Sequence, residues 1–111
     1  MALPRRDASR AALIVADGAV RRLRSIGAMD NFTDALKKEY PVMEAAWKES
    51  IHAEAVRLKL ENAEAIAEEQ VARVSFIKKE DMATATIDDV GDLHNEVQVC
   101  HLELAGRLNG R

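Results

Sequence analysis

Residues 41–79 read PVMEAAWKESIHAEAVRLKLENAEAIAEEQVARVSFIKK, and neither glycine nor a second proline interrupts them. Such a run predicts one helix over about 41–78, about 35 residues and roughly 50 Å long at 1.5 Å per residue. Pro41 suits its first turn, where a missing amide would have had no partner. One apolar stripe follows Met43, Trp47, Ile51, Ala55 and Leu58; a second follows Val56, Leu60, Ala63, Ala67, Val71 and Val74. The second drifts around the cylinder from the first, as expected if the two ends meet different neighbours. A helix of this length outreaches a small domain. The expectation is therefore bundle or coiled-coil-like packing completed by oligomerisation.

The flanking segments are also helical in pattern. Upstream, a helix over about 7–26 is expected, capped by Asp7 or Ser9 and stopped by Gly27. Its stripe runs through Leu13, Ala16, Val20, Leu23 and Ile26. A short helix over about 31–39, capped by Asp30 or Asn31, would bury Phe32 and Leu36 before Pro41 disfavours helical geometry at Tyr40. Downstream, Val74, Phe76 and Ile77 are β-branched or aromatic, and residues 80–85 read as a linker. Thr86-Ile87-Asp88-Asp89 then opens a last helix over about 86–108, with a hydroxyl able to take an amide three residues on. Gly106, Asn109 and Gly110 mark its finish. The fold class is all-α, three to four helices in a single domain over 1–111.

Composition agrees. Of 111 residues, 48% are hydrophobic, too many for a disordered chain, and 32% are charged, too many for a membrane protein. No stretch nears eighteen uninterrupted apolar residues, so no membrane span is expected. The N-terminal apolar patch AALIVA is short and is followed at once by Asp17 and Arg21-Arg22, which argues against a signal peptide. One cysteine builds no intrachain disulfide. The expected location is cytoplasm, or the interior of a virus particle. Charge is uneven: residues 1–27 hold six arginines against Asp7 and Asp17, whereas residues 80–111 hold seven carboxylates against Arg107 and Arg111. That polarity suits head-to-tail contact between copies, or docking of the basic end on something acidic.

The stretch HNEVQVCH, residues 94–101, brackets the only cysteine with two of three histidines. Heptad spacing makes it packing rather than chemistry. Val90, Val97 and Leu104 form one column, Ile87, His94, His101 and Leu108 a second, and Leu93 with Cys100 a third. His94 and His101 stand two turns apart, roughly 10 Å along the axis, too far for one helix to offer both to one metal. Cys100 lies near a helix C-terminus, where nothing lowers its pKa.

Glu49 and His52 form a Glu-x-x-His, the pair that di-iron bundles repeat on a second helix. Only one copy exists, so a metal site would need a dimer, with His94 and His101 as weak further candidates. Nucleic-acid binding is a rival reading. Arg10, Arg21 and Arg24 fall on one side of the first helix and Arg22 points elsewhere, but no aromatic residues interleave with them and the rest of the chain is acidic. No nucleophile arrangement or phosphate loop is present, so neither an enzyme nor a cofactor is expected. The expected function is that of a small interaction or assembly protein, either a structural or adaptor subunit of a larger, even phage-like, complex or an inhibitor docking on a larger protein. Its partner would be itself or that larger assembly. The expected contact residues are Trp47, Ile51, Leu58, Leu60, Val71 and Val74 on the long helix and Val97, His101 and Leu104 on the last.

Overall fold

The computed structural model describes residues 5–26 and 31–109, with side chains described over 8–26 and 31–107. These residues form four helices and one 3₁₀ turn, with no strand among them. In order they are α1 (Arg5–Ile26), α2 (Phe32–Arg57), α3 (Ala63–Arg73), the turn Lys79–Asp81, and α4 (Ile87–Asn109). The all-α expectation holds. Helix α2 is the hub against which α1, α3 and α4 all pack, and α1 also meets α4. The molecule measures 49 × 32 × 18 Å, thin in one direction, so each helix keeps an outer face.

The single 35-residue helix is corrected twice. At its start, Pro41 lies inside α2 rather than at a beginning, and helix runs unbroken from Phe32 to Arg57. A proline there removes one amide bond and crowds the preceding turn. Pro41 is exposed, so that defect faces solvent, while Leu36, Tyr40, Met43 and Trp47 on either side are buried and hold the helix through it. At its far end, the helix stops at Arg57 with no glycine to stop it. Lys59 takes the left-handed conformation at φ 56. The Leu60 amide then donates to the Ala55 carbonyl at 3.3 Å, and the Lys59 amide to the Val56 carbonyl at 3.0 Å. These two bonds are the Schellman pattern, which normally recruits glycine. Ala55 and Leu60 are both buried, supplying the apolar contact that accompanies it. Burial of Leu60 offsets the roughly 1–2 kcal/mol that a residue with a side chain loses in this conformation. Asn62, also left-handed at φ 58, then starts α3. The longest helix is α2, at 26 residues.

After Arg73 the chain runs extended, earlier than the expected linker at 80–85. Phe76 is half-buried against the core, the Ile77 amide donates to the Tyr40 hydroxyl at 2.8 Å, and Met82 is buried. Helix α4 opens as its sequence predicts. The Asp89 amide donates to the Thr86 hydroxyl at 3.2 Å while the Thr86 amide donates to the Asp89 carboxylate at 2.8 Å, a reciprocal capping box. Helix α1 begins earlier than expected, at Arg5, so Ser9 is interior to it; its buried hydroxyl donates to the Ser50 carbonyl at 3.4 Å instead of capping. The Asn31 side chain makes no cap bond to α2. The roles expected of Gly27, Asp30 and Gly110 lie outside the described residues.

A sealed histidine seam and two open helix faces

Trp47 sits at the centre of the molecule, fully buried, with Tyr40 edge-on at 6.3 Å and Phe76 at 6.4 Å between ring centroids. Its indole N–H must be satisfied, because an unpaired buried donor costs about 1–3 kcal/mol. The partner is on α4. Trp47 Nε1 donates to His94 Nδ1 at 3.0 Å, which assigns the neutral imidazole its proton on Nε2. That Nε2 points toward Asp17 of α1, 3.9 Å away. Burial pushes the His94 pKa below its usual value, and Asp17 opposes the shift only in part.

One turn along α2 and two along α4, the arrangement repeats. The Ser50 hydroxyl donates to the Trp47 carbonyl at 2.8 Å and lies 3.1 Å from His101 Nε2. With its proton committed to that carbonyl, the hydroxyl accepts from His101, which places a proton on His101 Nε2. Burial lowers the His101 pKa as well, with Glu54 opposing and Arg57 assisting. Glu54 is itself buried and held by both arms of Arg57, at 2.7 and 2.8 Å, which keeps its carboxyl below the usual range. Burial raises the Cys100 thiol, assisted by Glu103 and Glu96, so it stays protonated. The soft-ligand stretch is therefore a polar seam sealing α4 to α2.

The other metal candidates diverge. His52 Nε2 contacts Glu68 of α3 at 3.0 Å, and Glu49 is exposed. No three His, Cys, Asp or Glu side chains among the described residues converge to hold an ion. Between the 75–85 segment and α4 lies a cavity of about 340 Å³, bordered by Asp81, Asp89, Asp92 and Glu96. Two of those carboxylates already have structural work: Asp89 caps α4 and Glu96 accepts the Ser75 amide at 2.9 Å. The arginines of α1 are likewise engaged in part. Arg21 pairs with Asp17 at 2.9 Å and Arg22 grips Glu39 with two nitrogens, at 2.6 and 3.3 Å. Arg24 leans over Gly91 of α4, and Arg10 is exposed.

The structure places the expected contact residues inside the chain or against its core. Trp47, Ile51, Val97 and Leu104 are fully buried within the chain, and Leu60 and Val74 nearly so. Leu58 and Val71 pack against that core, and His101 is engaged with Ser50. Apolar periodicity identified what is buried, but the covering surface comes from this chain's own helices.

What remains open lies elsewhere. On α1, Ile14 and Val15 are 63% and 48% exposed; on α4, Val99 and Leu102 are 49% and 73% exposed. Spacing places Ala11, Ile14, Val15 and Gly18 on one outer strip of α1, opposite its buried stripe. That strip of positions three, four and seven apart was readable in the sequence as a second apolar face. Val99 and Leu102 similarly share the side of α4 opposite Val97 and Leu104. No described helix is long and apolar enough to cross a membrane. The chain matches no known protein family, no characterised protein and no solved structure with which it was compared.

Proposed function

We propose that this chain is a helical docking protein, a structural or adaptor subunit that joins an assembly through the outer faces of α1 and α4. The observation carrying this reading is that four of the five large aliphatic residues exposed among the described residues, Ile14, Val15, Val99 and Leu102, fall in pairs on the outside of α1 and α4, with Val42 of α2 standing alone. Single exposed aliphatics are ordinary, but pairs within one turn on each of two helices present contiguous apolar surface. The polar groups that could support chemistry are engaged in holding α4 to α2, which favours binding over catalysis. Asp17 beside Arg21 and Glu39 beside Arg22 offset part of the positive charge that a phosphate backbone would need, while both guanidinium groups stay exposed.

Photo-crosslinking tests the role directly. A photoreactive residue replacing Val15 or Leu102, introduced in the cell the protein comes from, is expected to form covalent protein adducts. The same residue replacing exposed Glu64 of α3 is expected to form none. Equal labelling at all three positions, or none at any, contradicts the docking role.

A further inference from the structure

The two open faces differ in charge as well as in place. Helix α1 carries six arginines against two aspartates, and α4 five carboxylates against one arginine. Around the α1 strip stand exposed Arg10, Arg21 and Arg22; around Val99 and Leu102 stand exposed Asp88, Asp92 and Glu103. We propose that the occupant of each face is the other face of a second copy of this chain, α1 of one molecule lying antiparallel on α4 of the next. This inference rests on the docking role proposed above and names its partner.

Orientation follows from register. With Ile14 set against Val99, an antiparallel pair brings Ala11 to Leu102, Arg10 to Glu103 and Arg21 to Asp92. It also brings Asp17 to Glu96, carboxylates already held by Arg21 and by the Ser75 amide within the chain. A parallel pair from the same starting point brings Arg21 and Arg22 to Gly106 and Arg107, apolar contact with like-charge repulsion at one end. Ala11 is small, which lets the partner approach α1 closely there, while the Arg22 guanidinium lies beside Gly18. Two copies joined through the same face fare worse. Pairing α1 with α1 brings together two helices of net positive charge, and pairing α4 with α4 two of net negative charge, without the arginine–carboxylate pairs of the mixed contact. Complementarity therefore selects a heterologous contact, in which each molecule both offers α1 and receives on α4. Such a contact propagates until the copies close a ring or extend a filament.

Sedimentation velocity of the purified full chain, over about 10 µM to about 1 mM at low salt, reads the outcome for an interface at the small end of the range. The native chain is expected to grow past a dimer as concentration rises. Ile14→Asp and Leu102→Asp are each expected to stay monomeric alone, with unchanged far-ultraviolet circular dichroism. Mixed, they should form a species of two copies and nothing larger, since one retains α4 and the other α1. Arg21→Glu is expected to weaken native association by about tenfold, with Asp92→Arg in the same chain restoring it. A native chain that stays monomeric throughout overturns the inference, as does a Leu102→Asp variant that still self-associates, or a mixture that forms no pair. If the purified chain is monomeric while photoreactive residues at 15 and 102 capture other proteins in the cell, the self-pairing fails and the docking role stands. Failure of both experiments removes both.

Discussion

Leu102 and Leu104 lie two residues apart on α4 and face opposite ways, one 73% exposed and the other fully enclosed. On the side of α4 that Leu104 shares lie the residues that look reactive in sequence, His94, Cys100 and His101, all occupied in packing or in hydrogen bonds to α2. Around Leu102 lie Val99, Asp92 and Glu103, unremarkable in sequence and open to a partner. The contrast shows that residue type is a poor guide to function when the fold has already used the donors and acceptors. The inner face is held by hydrogen-bonded histidines packed between apolar residues. The outer face leaves Val99 and Leu102 exposed, the apolar surface on which the proposed docking role rests.

Substitutions can sharpen or break this contrast. The largest effect is expected at Trp47→Ala, which removes the ring between Tyr40, Phe76 and His94 and leaves His94 Nδ1 without its donor. It should cost about 3–5 kcal/mol of stability in denaturant unfolding. Leu104→Ala is expected to cost about 2–4 kcal/mol by opening a cavity in the same seam. A loss below about 1 kcal/mol for either would mean that the inner face is loosely packed, against the fold described above.

Acidification is expected to have the next effect. His94 and His101 have folded pKa values below the 6.5 of the unfolded chain, so the unfolded state takes up protons first. Stability from both is complete above pH 6.5 and is lost as pH falls from there toward the depressed folded values. The slope can reach at most about 1.4 kcal/mol per pH unit for each histidine. Protonated His94 also cannot accept from the Trp47 indole. Glu54, depressed by Arg57, adds its own loss only at lower pH, below the carboxyl value of 4.5. Urea midpoints at pH 7.5 and 5.5 check the histidine part, and His94→Gln with His101→Gln should flatten it. A midpoint indifferent to pH in the native chain would contradict the neutral, buried seam. The smallest effect is expected at Leu102→Ala, within about 0.5 kcal/mol of the native chain. A cost comparable to that of Leu104→Ala would erase the difference between the two faces.

Much of the architecture was legible in residue pattern. The Val90, Val97, Leu104 and Leu93, Cys100 columns of α4 and its Thr86–Asp89 cap are local signals, and both stand in the structure, while Leu108 of the remaining column lies outside the described side chains. The break after Arg57 was not legible, because Lys59 carries no sign of the left-handed turn that burial of Leu60 imposes on it. Pro41 misled in the opposite direction. Its local preference is real, but buried neighbours on the same helix overrule it on the solvent side. The candidate surface was missed for a related reason. Stripes through Trp47, Ile51 and Val97 say that those residues are covered, and only tertiary packing says by what. The Ala11, Ile14, Val15, Gly18 strip was visible in the sequence but sits opposite the stronger stripe that fixes how α1 packs.

Thiol reactivity measured against protein concentration tests the two faces of α4 together. Cys100, 5% exposed, reports the inner face in the native chain; in a Cys100→Ala background, Leu102→Cys reports the outer one. The Cys100 thiol is expected to react at least about 100-fold more slowly than an unfolded thiol at every concentration, since reaction needs an opening of about 3 kcal/mol or more. The thiol at position 102 is expected to react rapidly in dilute solution and to become protected as concentration rises. A Cys100 thiol as reactive as the one at 102, or a thiol at 102 indifferent to concentration, would contradict the assignment of one face to the fold and the other to a second copy.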